Sequence, residues 1–143
     1  MTLEERLQAI LQPSVDTHAR YYTDFEELKD VTEAIRAEGR RIVLTQGVYD
    51  LLHIGHAQYL AKAKEEGDVL IVGVDSDALT RQRKGDGRPV VPEGERTNMI
   101  LHLRDVDMVV LRDVDKELEA LIQTIKPDVY IASTSTKDFT VSP

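Results

Sequence analysis

The sequence predicts an α/β domain, a Rossmann-like parallel sheet with flanking helices. Short apolar runs at 42–44, 69–74, 106–111 and 129–131 are rich in β-branched residues, as strands buried on both faces of a sheet are. Between them lie helical patterns at 57–66, 94–103 and 116–125. Strands that alternate with helices of this length imply right-handed crossovers and parallel pairing. At 143 residues, one domain with one sizeable core is expected.

The chain opens with Leu3, Leu7, Ile10 and Leu11 at helical spacing, in a helix that Pro13 ends. A polar stretch runs on to Thr23, and 1–24 is read as an N-terminal helical extension ahead of a domain at 25–143. Asp24 and Glu27 make a capping box for the next helix, whose stripe is Phe25, Leu28, Val31 and Ile35 and which stops near Gly39. The one long stretch without a period, 81–92, sets Gly85, Gly87, Pro89 and Pro92 among basic residues. Loops of that length in compact domains are commonly functional, so this one is expected to be mobile when empty and to order over phosphate.

Composition narrows the function. Lys and Arg number 18 against 26 Asp and Glu, a net charge of -8 that repels polyanions, so no nucleic-acid partner is expected. The absence of cysteine excludes disulfides, thiolate nucleophiles and Cys-ligated zinc. The first residues, Met1-Thr2-Leu3-Glu4-Glu5-Arg6, are charged, and no apolar run approaches the roughly 20 residues of a membrane span. A cytoplasmic protein with no membrane partner is expected.

The chemistry is expected just after the first apolar run, at Gln46-Gly47-Val48-Tyr49-Asp50-Leu51-Leu52-His53-Ile54-Gly55-His56. Ligands of open parallel sheets sit outside the carboxyl ends of the strands. Gly47 and Gly55 permit close backbone approach, and the start of the following helix favours phosphate. His53 and His56, three residues apart at that start, are placed to donate to charge developing on a phosphate. The bland alternative is a surface pair. A metal site is the other possibility, but no third ligand stands at an obvious spacing, so no protein metal site is assigned. His18 and His102 fit no motif and are read as structural.

The string 47–56 resembles the G-x-F-D-x-x-H-x-G-H signature of the cytidylyltransferase-like nucleotidyltransferases, with Tyr49 in place of Phe. The similarity continues through Gly73-Val74-Asp75-Ser76-Asp77, Lys84-Gly85-Asp86-Gly87-Arg88-Pro89-Val90, the segment 92–96 and 106–110. These motifs resemble the adenylyltransferase domain of the bacterial ADP-heptose synthesis enzymes. The fold implied is of the nucleotidyltransferase type.

By that resemblance, His53, His56 and Lys84 are catalytic: the histidines contact the triphosphate and Lys84 neutralises the α-phosphate. Gly47, Val48, Tyr49, Gly55, Arg88 and Arg96 bind nucleotide, with Tyr49 acting mainly in packing. Asp50 anchors the turn or meets the acceptor, and Asp75 and Asp77 lie near ribose or acceptor. Their bland alternatives are solvated loop charges for Lys84 and Arg88, pairing of Arg96 with Glu93 or Glu95, and helix caps for Asp75 and Asp77. Mg2+ enters with the nucleoside triphosphate, and a homodimer is implied.

The implied reaction moves a nucleoside monophosphate from ATP or CTP to a small phosphorylated acceptor, releasing pyrophosphate. Heptose 1-phosphate with ATP comes first; glycerol 3-phosphate or phosphoethanolamine with CTP, and FMN with ATP, stay open. A non-catalytic nucleotide sensor on the same fold is the reading from another class. Class I aminoacyl-tRNA synthetases share the string His53-Ile54-Gly55-His56 but need a far longer chain.

The sequence departs from the family in three places. The family commonly reads Asn-Gly-Cys-Phe-Asp where this chain has Gln46-Gly47-Val48-Tyr49-Asp50, and Asn where it has Asp75. Its members also continue past the fourth strand to a further strand and a Ser/Thr-rich motif, with which Ser133-Thr134-Ser135-Thr136 is not equated. The last strand is therefore expected to be lacking, 129–131 to form an exposed edge, and nucleotide binding to be weak.

Overall fold

The computed structural model describes residues 1–12, 16–133 and 139–142. Helices α1 (Leu3–Leu11) and α2 (Phe25–Ala37) flank a 3-10 turn at His18–Arg20 and a two-residue strand β1 (Tyr21–Tyr22). Then follow β2 (Ile42–Gly47), α3 (Ile54–Lys64), β3 (Val69–Asp75), α4 (Asp77–Lys84), α5 (Glu93–Leu101), β4 (Met108–Arg112), α6 (Leu118–Ile125), β5 (Val129–Ser133) and β6 (Phe139–Ser142). All four expected strands are present, and the sheet order is β1-β4-β3-β2-β5-β6.

Strands β1 to β5 pair in parallel, whereas β6 is antiparallel to β5. The expected exposed edge at 129–131 is therefore corrected. Tyr130 lies opposite Ser142 and Ile131 opposite Val141, so the unpaired backbone groups of β5 have a neighbour from the same chain. Of the Ser/Thr-rich run, 134–136 lie outside the described residues.

The N-terminal stretch also does more than expected. Tyr21 and Tyr22 pair with Val109 and Val110 at the opposite edge. Arg20 fixes them there by donating to the carbonyls of Leu101 and Val106 at 2.9 and 3.1 Å.

Alternation along the strands divides the core between two faces. Leu44, Ile71 and Val110 pack with Leu28, Val31 and Ile35 of α2 and with Leu121 and Ile125 of α6. Val43, Val72 and Val109 pack with Leu60 and Ala63 of α3 and with Ile100 of α5. Burial on both faces explains why the strands read as continuous apolar runs.

The segment 81–92 is corrected as well: 81–84 complete α4, so the irregular part begins at Gly85. No helix among the described residues is long and apolar enough to cross a membrane.

Candidate active site

Consecutive strands β2, β3 and β4 run outward in one direction, and β5 then returns to the far side of β2. This reversal puts the switch point, where open α/β sheets bind ligands, at the carboxyl end of β2. The segment 47–56 leaves the sheet there and enters α3. Tyr49 and Leu51 hold φ of 55° and 52°, left-handed values that cost a non-glycine residue energy and are found mainly where function requires them.

His53 is the N-cap of α3. Its Nδ1 accepts the Gly55 N–H at 3.0 Å, and the Nδ1 of His56 accepts the His53 N–H at 3.1 Å. A Cβ at Gly55 would stand 2.7 Å from His53 Cε1, so glycine is what lets the ring lie back over the first turn. The two rings are 4.0 Å apart, and Tyr49 meets His56 edge-on at 5.6 Å.

This reciprocal capping has a chemical consequence. With a backbone N–H donated into each Nδ1, each neutral imidazole carries its proton on Nε2. The pair is thereby preset as two N–H donors at the start of a helix. Burial, with a smaller contribution from the neighbouring His53, holds His56 below its ordinary pKa and so favours this neutral form.

The other expected residues divide by what they touch. Tyr49 is buried, its ring lying so close over Gly47 that a Cβ there would come within 2.9 Å of Cε2. Burial raises its phenol pKa well above the ordinary value. Packing is its role in the protein alone. The Gly55 N–H, expected near phosphate, is committed to His53.

Asp50 takes the turn-anchoring role. It accepts Val90 N–H at 2.8 Å, Val91 N–H at 2.9 Å and Arg88 Nη1 at 3.1 Å. Desolvation works to raise its pKa, but these three donors outweigh it and hold the carboxyl below the usual range. The stretch after Gly87 is thus tied to the turn after β2.

Arg96 is 2 % exposed and does not pair with Glu93 or Glu95. It donates to the carbonyls of Val91, Val48 and Asp75 at 2.8, 2.7 and 2.8 Å, and to Asp77 at 2.8 Å. It therefore ties the turn after β2, the end of β3 and the loop before α5 into one frame.

Asp77 faces Arg96 at the start of α4, whose cap is Ser76. Asp75 is fully buried, and both aspartates pair with arginines of the protein, Asp75 with Arg83 and Asp77 with Arg96. Lys84 stands exposed at the end of α4, and Arg88, four positions on, is half exposed. His53, His56, Arg88 and Arg96 are thus gathered around the turn after β2, and the expected carboxylates hold the arginines there.

Sequence reasoning marked Gln46 as a departure from the family but not its contact with Asp75, and it did not single out Arg83 or Arg112, which also meet Asp75. Only their positions at strand and helix ends beside the site signalled them. Among the described residues no group of three His, Asp or Glu is arranged to hold a metal ion.

Comparison with known proteins agrees with this geometry. The sequence profile of the cytidylyltransferase-like family matches residues 44–142. The bifunctional protein HldE of a Nitratiruptor species is 46% identical over 111 residues, 78% of this chain and 24% of that protein. Its namesake from Syntrophotalea carbinolica is 45% identical over 106 residues, 74% of this chain and 21% of that one. The chain thus spans roughly a fifth to a quarter of the length of these curated relatives. Among solved structures, the lipopolysaccharide core biosynthesis protein from Thermoplasma volcanium GSS1 matches with a TM-score of 0.58 at 33% identity, covering 64% of this chain and 73% of that one.

Proposed function

The chain belongs to the cytidylyltransferase-like family of nucleotidyltransferases, and on that footing we propose that it transfers a nucleoside monophosphate from a nucleoside triphosphate to a small phosphorylated acceptor. ATP and a sugar 1-phosphate are the first pair. They rest on the relatives' similarity and on the motifs at 73–77 and 84–90. The observation that carries the proposal is the pair of Nε2–H donors that His53 and His56 present at the start of α3.

The nucleotide arrives as its magnesium complex. An oxygen of the acceptor phosphate attacks the α-phosphorus in line, its new P–O bond forming as the bond to the bridging oxygen breaks and pyrophosphate leaves. A phosphate oxygen is already nucleophilic, so no general base is required and catalysis is positioning plus charge stabilisation. The histidines donate to the phosphate oxygens as charge builds there. Lys84 and Arg88 supply positive charge from the neighbouring segment. Asp50 and Arg96 act on the substrate only indirectly, by holding the turn and that segment in place.

The working protein is proposed to be a cytoplasmic homodimer with no nucleic-acid partner. A pyrophosphate-release screen of ATP and CTP against phosphorylated acceptors tests the reaction. One nucleotide should give acceptor-dependent pyrophosphate, and tight nucleotide binding without release for any acceptor would favour a sensor instead.

A further inference from the structure

Two of the positions at which the sequence departs from the family it resembles, Gln46 and Asp75, touch each other. Gln46 Nε2 donates to Asp75 Oδ1. The other oxygen of Asp75 accepts Arg83 Nη1 at 2.6 Å, and Arg112 Nη2 approaches Oδ1 at 3.4 Å from directly across the β3–β4 pair. A Cβ at Gly73 would stand 2.1 Å from Gln46 Oε1, so the amide crosses the sheet only because no side chain is there. The departures are therefore one coupled cluster of an amide, a carboxylate and two guanidiniums.

Asp75 is fully buried, yet a buried ion pair is a poor source of stability, because desolvation cancels much of the attraction. What such a carboxylate does well is orient its partners. Arg112 is buried and also donates to the Lys116 carbonyl at 2.9 Å. Arg83 differs: its side chain is 54% exposed, with Nη1 fixed on Asp75. One negative charge is met by two positive ones, which leaves the cluster cationic. It adjoins the phosphate-binding turn, since one nitrogen of Arg96 donates to both Val48 and Asp75. Lys84 follows Arg83 in the chain.

We infer that Arg83, oriented by buried Asp75, is a specificity-determining residue that receives a second anionic group of the acceptor, a carboxylate or a further phosphate, beside the phosphate that reacts. The inference rests on the transfer reaction proposed above. A guanidinium held on one edge offers its remaining donors as a fork suited to such a group.

Calorimetric titration of the full chain with two matched pairs of probes tests it. These are glucose 1-phosphate against glucuronic acid 1-phosphate, and glycerol 3-phosphate against 3-phosphoglycerate. In at least one pair the carboxylate-bearing compound should bind about tenfold tighter, the scale of one charge-assisted contact. Arg83→Gln should remove that gap while leaving the probe without a carboxylate within about twofold, and Arg83→Lys should keep part of it. Asp75→Asn combined with Arg83→Gln keeps the net charge of the cluster at its wild-type value and should lose the gap too. Equal affinities in both pairs, or equal weakening of both members by Arg83→Gln, would overturn the inference. Binding is read whether or not pyrophosphate is released, so this failure and that of the transfer reaction are separate results.

Discussion

At the amino end of the sheet, Asp68, Asp107 and Asp128 accept the N–H groups of Arg41, Leu70 and Ile42, each at 2.7 Å, whereas at the carboxyl end Asp50, Asp75 and Asp77 each hold an arginine. Carboxylates at the amino end satisfy backbone donors at strand starts, where an unpaired group is costly. Those at the carboxyl end fix cations where an anionic ligand belongs. One residue type thus serves stability at one end and positioning at the other, and the difference lies in its partner. Substitutions at the amino end should therefore be read in stability and those at the carboxyl end in turnover.

Arg96→Ala should strain this division most. It belongs to the carboxyl end but is buried, and its loss strands Asp77 and three carbonyls. Urea denaturation should show a loss of about 3–5 kcal/mol. A loss below about 1 kcal/mol would mean that these groups find other partners.

His56→Ala should lower turnover by about 10²–10³. Its cost in stability should stay within the roughly 0.5–2 kcal/mol of a lost cap. Turnover within a few-fold of wild type would remove the histidine pair from the mechanism. Asp107→Ala is the counterpart at the amino end, since Asp107 also holds Lys64 at 2.6 Å. Burial raises the Asp107 pKa against the pull of Lys64, so removing the carboxyl relieves some desolvation. The net loss should be about 2–3 kcal/mol, with turnover per folded molecule unchanged. A fall in turnover without a loss of stability would invert the division.

The smallest effect is expected from acid. The folded pKa of His56 is lowered, so the unfolded chain takes up its proton first as pH falls. The contribution is complete above the ordinary imidazole pKa of about 6.5 and is lost as pH drops from there towards the lowered value. Protonation also withdraws the Nδ1 lone pair from the His53 N–H. Melts at a series of pH values should show a shallow decline that His56→Ala lacks, and identical slopes would place the titration elsewhere.

Periodicity and β-branched runs made β2 to β5 legible in the sequence, because strands buried on both faces need apolar residues at every position. Tyr21–Tyr22 escaped because two residues carry no period. Residues 81–84 read as part of an irregular stretch because only Leu79 and Thr80 are buried in a helix otherwise polar at its surface. β6 runs antiparallel to β5 and begins six positions after it ends, so no βαβ pattern announced it. The histidine pair was legible from its motif. The bond from Asp50 to Val90 was not, since it spans 40 positions and depends on the folded turn.

The two-residue strand at the sheet's edge also bears on how the protein is made. Tyr21 leaves the ribosome 88 positions ahead of its partner Val109. At roughly 5–20 residues per second, the partner follows several seconds behind. During that interval β2 and β3 can pair, whereas the tyrosines have no strand to join. Docking of residues 16–22 is thus a late, high-contact-order step that waits for β4 and closes the domain after its centre has formed.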